Sequence, residues 1–362
     1  MDGKFRGVWE TFRTSPYPLH YALRWPFYFQ RPSVRNHTGL VSRSASLELH
    51  PLPDSAGTDR ATLLFAGDIM VLNGDAPPHL CDSLRRLIGR ADLFVANLEA
   101  PLGAHAQRPD ILYSFRFHMP FDFLAGIQRQ IALPFHQWAL TVANNHSGDA
   151  GTSGFAQSVD LLDSLQVNHV GWKPGPLRRT VAVNGLRIGL VNWTHWENLP
   201  LQADAAVVPY TTRDLGDRGL PGKDVDFTIG LPHWEYEFQH FPRRETRRLA
   251  HRLLQDELDL IVGSHPHVLQ PYEMLGDKLC FYSLGNFCGL GIAWPVKIIT
   301  LLEAVLFRDG LTGKTRLSRF QYHHFYQYHR DDEIFIVAFD DLPQEIRTRA
   351  DNRIDAVIRT PA

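Results

Sequence analysis

The chain has 362 residues, 44% of them apolar, and 37 basic against 39 acidic side chains. That is enough apolar chain for one large domain or two medium ones, and the near balance of charge argues against nucleic acid as a general partner. Three scattered cysteines, Cys81, Cys280 and Cys288, are too few for a disulfide framework and form no CxxC pair, which implies a reducing, cytoplasmic setting.

The first 60 residues are rich in aromatics and proline, as in "RWPFYFQRP", and polar residues break every apolar stretch. We expect an N-terminal arm packed across the domain, with no signal peptide and no stable membrane anchor. From residue 61 short apolar runs end in polar clusters: "TLLFAGD" (62–68), "DLFVANLE" (92–99), "WALTVANNH" (138–146), "RIGLVNW" (187–193), "VDFTIGLPHW" (225–234) and "LDLIVGSHPH" (258–267). Runs of this length, rich in Val, Leu, Ile and Phe, read as strands buried on both faces. Helical spacing separates some of them, in 153–167 and 243–257. Segments 278–287, 295–309 and 315–328 read as consecutive strands, and the tail from 331 to 362 as a strand or helix followed by a helix. The expected fold class is α/β, a two-sheet sandwich flanked by helices, spanning 61–330 with the tail packed on it.

Chemistry gathers where the runs end. Asp68 closes the first; Asn97 and Glu99, two apart, close the second; Asn144, Asn145 and His146 the third; His233 the fifth; and His265 and His267 flank Pro266 beyond the last. Pro266 biases His265 toward an extended backbone, in which residues i and i+2 face the same side. Each residue also has an ordinary role open to it: a turn aspartate, a loop asparagine, a hydrogen-bonded histidine or a solvated glutamate. Ligands collect at the carboxyl ends of parallel strands, so convergence on one rim carries more weight than any one side chain. His323, His324 and His329 lie in a strand-like run outside this pattern. Imidazole, carboxylate and carboxamide without thiolate suit one or two divalent ions such as Mn, Fe or Zn and argue against a structural zinc. Two ions against Asp68 and Glu99 would leave a formal charge of about +2, favouring an anionic substrate, whereas one ion leaves the site near neutral.

The stretches "FAGDIM", "VANLEAPLG", "TVANNHSGDAGTSGF", "PHWEYEF", "IVGSHPHVLQPYEML" and "CFYSLGNF" resemble, in order and spacing, the CapA-like proteins of poly-γ-glutamate capsule synthesis, a family of the calcineurin-like metallophosphoesterase superfamily. The resemblance implies a four-layer α/β/β/α sandwich. It implies metal-binding roles for Asp68, Glu99 helped by Asn97, His233, His265 and His267, with Glu99 standing in for a bridging aspartate. Asn144 or Asn145, with His146, matches an Asn-His pair in which Asn ligates metal and His contacts the reacting group; on this reading Asn144 is the metal candidate, and Asn145, His146 and Glu235 are the catalytic candidates. Two departures stand out. Met70 occupies the histidine position of an Asp-x-His motif, and Glu235 replaces a glycine beside His233, as an added ligand, a general base or a solvated carboxylate.

The resulting expectation is a metal-dependent hydrolase that uses metal-activated water on a phosphoester or a γ-glutamyl amide of a small biosynthetic substrate, with His146 as proton donor. The alternatives are a non-catalytic assembly protein for an anionic polymer and a structural metal site. The Pro/Gly-rich stretch 196–224 is expected beside the substrate, as a lid or a plain connection.

Overall fold

The computed structural model describes residues 17–42, 44–52, 59–71, 76–103, 116–172, 178–199, 201, 225–289, 291, 293–330 and 333–358. The arm contributes two short helices, α1 (Leu19–Ala22) and α2 (Trp25–Gln30), and strand β1 (Ser46–Glu48). There follow β2 (Arg60–Ile69), β3 (His79–Leu80), α3 (Asp82–Gly89), β4 (Leu93–Leu98), α4 (Phe121–Ile131), β5 (Trp138–Thr141), α5 (Gly151–Ser164) and β6 (Asn168–Val170). Next come β7 (Arg178–Val183), β8 (Leu186–Thr194), β9 (Phe227–His233), α6 (Arg244–Asp256), β10 (Leu260–Val262), β11 (Tyr272–Leu275), β12 (Lys278–Phe281) and β13 (Asn286–Cys288). The chain closes with β14 (Ile298–Arg308), β15 (Thr315–Arg330), β16 (Glu333–Ala338) and α7 (Gln344–Val357).

Two sheets result. The larger runs β3-β16-β15-β14-β2-β4-β5-β6, with β1 on β15 and β13 on β2; the smaller runs β11-β12-β10-β9-β8-β7. The strands that bear the polar termini are mutually parallel within each sheet: β2, β4 and β5 in one, β9 and β10 in the other.

Period-two alternation sorts the layers. Along β2, Ala61, Leu63 and Phe65 meet Ile188, Leu190 and Ile229 of the smaller sheet, whereas Leu64 and Ala66 turn to the side of Leu84, Phe123 and Phe155 on α3, α4 and α5. On the far side, Val191 and Trp193 of β8 pack with Leu249, Leu253 and Leu254 of α6. Each such buried leucine contributes about 1.5–3 kcal/mol. The architecture is therefore a helix–sheet–sheet–helix sandwich, and α7 adds Ala350, Ile354 and Val357 to the inter-sheet core at helical spacing.

Helices α3 and α4 and the short strands β3, β6, β7 and β11 were not legible as elements in the sequence. The run expected over 258–267 is strand only to Val262, and its polar end is a bend.

Candidate metal centre

Parallel pairing brings the strand ends together. Asp68 sits beside Asn97 across the β2–β4 pair and beside Asn286 across the β2–β13 pair. The latter approach requires Gly67, because a Cβ there would lie 1.8 Å from the Gly285 carbonyl oxygen. The Asp68 amide donates to that oxygen at 3.1 Å. His233 ends β9, bridged to Ser264 beyond β10.

His265 and His267 reach the same point by a different backbone from the one expected. Their φ values are +99° and +57°, so the pair is not extended; two left-handed residues flank Pro266 in a tight bend. Their ring centroids lie 5.6 Å apart. The facing loop has the same character, with Glu235 at φ +75° and Phe238 at +59°. Such residues cost about 1–3 kcal/mol each and persist only where surrounding contacts impose them. Here the His265 amide donates to Asp68 Oδ2 at 3.3 Å and the Phe238 amide to the Pro266 carbonyl at 2.8 Å.

Two groups of potential ligand atoms result, Asp68, Glu99 and His233 in one and Glu99, His265 and His267 in the other, each with its atoms within 4.8 Å of one another. Glu99 belongs to both. Its Oε1 lies 3.7 Å from His233 Nε2 and 3.8 Å from His267 Nε2, and Asp68 Oδ2 is 3.3 Å from His267 Nδ1. Asp68, Glu99, His233 and His265 have no measurable exposure and His267 only 2%. Glu99 Oε1 and His265 Nδ1 are buried without any hydrogen-bond partner. Uncompensated polar atoms of this kind are costly unless something binds them, and this N/O donor set fits divalent ions.

The electrostatics agree. Burial opposes ionisation of Asp68, yet His267, His233 and Asn97 together hold its pKa below the ordinary carboxylate value. Burial, reinforced by the charge of Asp68, pushes Glu99 well above it. Burial drives His233 down to about 3 against the pull of Asp68, and burial with neighbouring imidazoles drives His265 well below its usual value. Burial also opposes charge on His267, but the hydrogen bond and charge of Asp68 win, and its pKa is raised. His233 and His265 therefore present neutral nitrogens at neutral pH, the form a metal requires.

The asparagines divide differently from the sequence reading. Asn144, expected as a ligand, spends its carboxamide on the chain, donating to the Leu98 carbonyl at 2.8 Å and accepting from the His146 amide at 3.1 Å. Asn145, expected in a catalytic role, instead places Oδ1 2.8 Å from His233 Nε2, so it is the member of the pair that can add to the first ligand group. Asn97 donates to Asp68 Oδ1 at 2.8 Å and accepts from Thr141 at 2.9 Å; its oxygen is engaged, and it orients Asp68 rather than offering a ligand. Glu235 is neither solvated nor part of the cluster: it is fully buried, and its two oxygens accept from the Arg243 backbone and guanidinium at 3.1 and 3.3 Å. Met70 packs in the apolar core beneath the helices and supplies no ligand.

His146 is buried, with Nδ1 2.7 Å from Asp149 Oδ2, an oxygen that also accepts from the Phe117 amide at 2.6 Å. Sequence reading missed Asp149, although its i+3 spacing from His146 was a usable signal. It also missed Asn286, 3.0 Å from His267 Nδ1, and Asn192, which ties the Ala143 backbone to Leu231. Glu237 was missed too; its Oε1 lies 3.9 Å from His267 Nε2. His323 and His324 pair with Glu303 and Thr300 on the β14–β15 ribbon. Of the stretch 196–224, residues 200 and 202–224 lie outside the described residues; at its start Trp196 abuts the His265 ring edge-on at 4.4 Å.

Two sheets between helices, with carboxylates, carboxamides and imidazoles gathered at the carboxyl ends of parallel strands, define an α/β sandwich protein with a candidate metal centre on its rim. The chain belongs to the family described as bacterial capsule synthesis protein PGA_cap, whose profile matches residues 62–289. It is 29% identical over 164 residues to the PGA biosynthesis protein CapA of Bacillus subtilis (strain 168), covering 41% of each chain. It is 26% identical over 166 residues to the capsule biosynthesis protein CapA of Bacillus anthracis, covering 41% of this chain and 39% of that one. The match thus spans about two-fifths of the length of these relatives. Among solved structures, the calcineurin-like phosphoesterase YfkN of Bacillus subtilis is similar at 11% identity and a TM-score of 0.42, over 82% of this chain and 96% of that one. A hypothetical protein from Thermus thermophilus is similar at 16% identity and the same TM-score, over 73% and 99%. No helix among the described residues is long and apolar enough to cross a membrane.

Proposed function

We propose that this chain is a metal-dependent hydrolase acting on a phosphoester or a γ-glutamyl amide. The observation that carries this reading is Glu99, shared by two ligand groups and bearing a buried oxygen with no partner. A divalent ion held there would supply Lewis acidity toward the scissile group and toward water near neutral pH. The residues around it do the rest. Asp68, His233 and Asn145 define one ligand set and His265 and His267 the other, while Asn97 and Asn286 fix the orientation of Asp68 and His267. Asp149 holds His146 by Nδ1, which orients the ring and leaves Nε2 as the atom that can take up a second proton and pass it to a leaving group. The γ-glutamyl option draws on the sequence's resemblance to the poly-γ-glutamate capsule proteins and on the PGA biosynthesis named for the Bacillus subtilis relative, the phosphoester option on the class of the fold.

The test is elemental analysis of protein purified without added metal, followed by assay of the Mn²⁺-, Fe²⁺- and Zn²⁺-loaded forms on p-nitrophenyl phosphate, bis-p-nitrophenyl phosphate and γ-glutamyl-p-nitroanilide, beside His267→Ala. Bound metal and turnover, both lost in the variant, support the hydrolase. Bound metal without turnover on any ester or amide favours a polymer-binding assembly role, and no metal after reconstitution refutes the proposal.

A further inference from the structure

Tyr17 stands 248 positions before His265 in the chain, yet its hydroxyl lies 3.1 Å from His265 Nε2. The other nitrogen of that ring, Nδ1, is buried without a partner. A histidine that binds metal through one nitrogen is held by a hydrogen bond at the other, and that bond fixes the tautomer and ring orientation. We propose that Tyr17 is a positioning residue of the metal centre: the N-terminal arm brings its hydroxyl to accept from the Nε2–H of His265, so that the unprotonated Nδ1 is the nitrogen offered to metal, and arm docking and metal binding strengthen each other. This rests on the metal-centre reading above.

The arm is built to hold that hydroxyl in place. The Tyr17 ring meets Trp196 and Tyr236 edge-on at 5.5 and 5.1 Å, and Trp196 in turn abuts His265. Further along, the Trp25 indole donates to the Glu237 carboxylate and the Tyr21 hydroxyl to the Glu237 carbonyl. The Ser33 amide donates to the Phe238 carbonyl at 2.8 Å, and the His240 amide donates to the Ser33 carbonyl at 2.9 Å. The arm is therefore fastened along 237–240, the loop that braces the His265–His267 bend. These arm residues lie outside the segment 62–289 that the family profile matches. Two sites whose geometry depends on one ring are coupled, and the coupling is reciprocal.

The full chain tests this with Tyr17→Phe, which keeps the ring and removes the hydroxyl. Mn²⁺ affinity is measured by chelator competition, the ligand field by the visible spectrum of the Co²⁺-loaded protein, and arm docking by hydrogen exchange over residues 17–33 with and without Mn²⁺. We expect Y17F to bind Mn²⁺ about 10- to 100-fold more weakly, to alter the Co²⁺ bands, and to lose the Mn²⁺-dependent slowing of exchange that wild type shows. Equal affinity and an unchanged spectrum, in a wild type that does bind metal, overturn the role of Tyr17 alone. A wild type that takes up no metal overturns the metal-centre reading and this proposal with it. If Y17F does not fold, exchange in wild type decides: an arm indifferent to Mn²⁺ refutes the coupling.

Discussion

Glu99→Gln should move the metal-free and metal-loaded protein in opposite directions. Without metal, Glu99 is wholly buried, its Oε1 lacks a partner, and burial together with the charge of Asp68 raises its pKa well above 4.5. A carboxyl raised in the folded state binds its proton more tightly there than in the unfolded chain, so its contribution to stability falls as pH climbs above about 4.5. Glutamine removes that opposition. Glutamine keeps a polar atom there but cannot ionise, so the relief is the cost of charge on the buried group, about 1–3 kcal/mol; with an unfolding entropy of ~2.1 cal/mol/K per residue over 362 residues, that raises Tm by about 1–4 °C. With metal the ranking reverses. An ion at a hundredfold excess over its Kd stabilises by about 2.7 kcal/mol, or about 3–4 °C on the same scale, and the variant loses the carboxylate common to both ligand groups. The assay is thermal unfolding of EDTA-stripped and Mn²⁺-supplemented protein at pH 5 and pH 7. Stripped E99Q should melt above stripped wild type, more so at the higher pH, and should not respond to Mn²⁺. Stripped E99Q melting below wild type, or an intact Mn²⁺ response, would refute the reasoning.

His146→Ala should retain metal while slowing turnover of any substrate the wild type hydrolyses by about 10²–10⁴-fold; equal rates would remove His146 from proton transfer. Asn144→Ala breaks bonds to the Leu98 carbonyl and the His146 amide, leaving buried groups unpaired at about 1–3 kcal/mol each, whereas Asn145→Ala should act chiefly on metal affinity. Urea unfolding and Mn²⁺ titration of both variants test this division, and the reverse ranking would restore Asn144 as the ligand. Gly67→Ala places a methyl group 1.8 Å from a backbone oxygen, so we expect at least about 3 kcal/mol of destabilisation; wild-type stability would show that β13 does not lie against β2. Metal binding should release protons, because the raised pKa values of Glu99 and His267 leave protons for the ion to displace. Calorimetry in two buffers of different ionisation enthalpy at pH 6 should register that release, and buffer-independent heats would contradict it.

Much of the site was legible in the chain because strand ends announce themselves locally. Buried parallel strands read as apolar runs, and the polar residues that close them, Asp68, Glu99, His233, His265 and His267, are those whose ligand atoms converge. Proline before His267 suggested an extended pair, but contacts from Asp68 and Phe238, distant in sequence, impose a left-handed bend that local propensity disfavours. Adjacent residues point in different directions, so no pattern separates Asn144 from Asn145; only the positions of Leu98 and His233 do. Glu235 resembled a solvated carboxylate until Arg243 was placed against it. The amphipathic spacing of α3 and α4 is confined to helices of 8 and 11 residues, short enough for strand-like runs to mask it. The sequence by itself determined the alternation of strands and which polar residues close them at the rim, because both follow from short-range periodicity. Tertiary structure alone decided backbone strain, the division between polar atoms left without a partner and those spent on the chain, and the reach of Tyr17 to His265, because each depends on contacts between segments that only folding brings together.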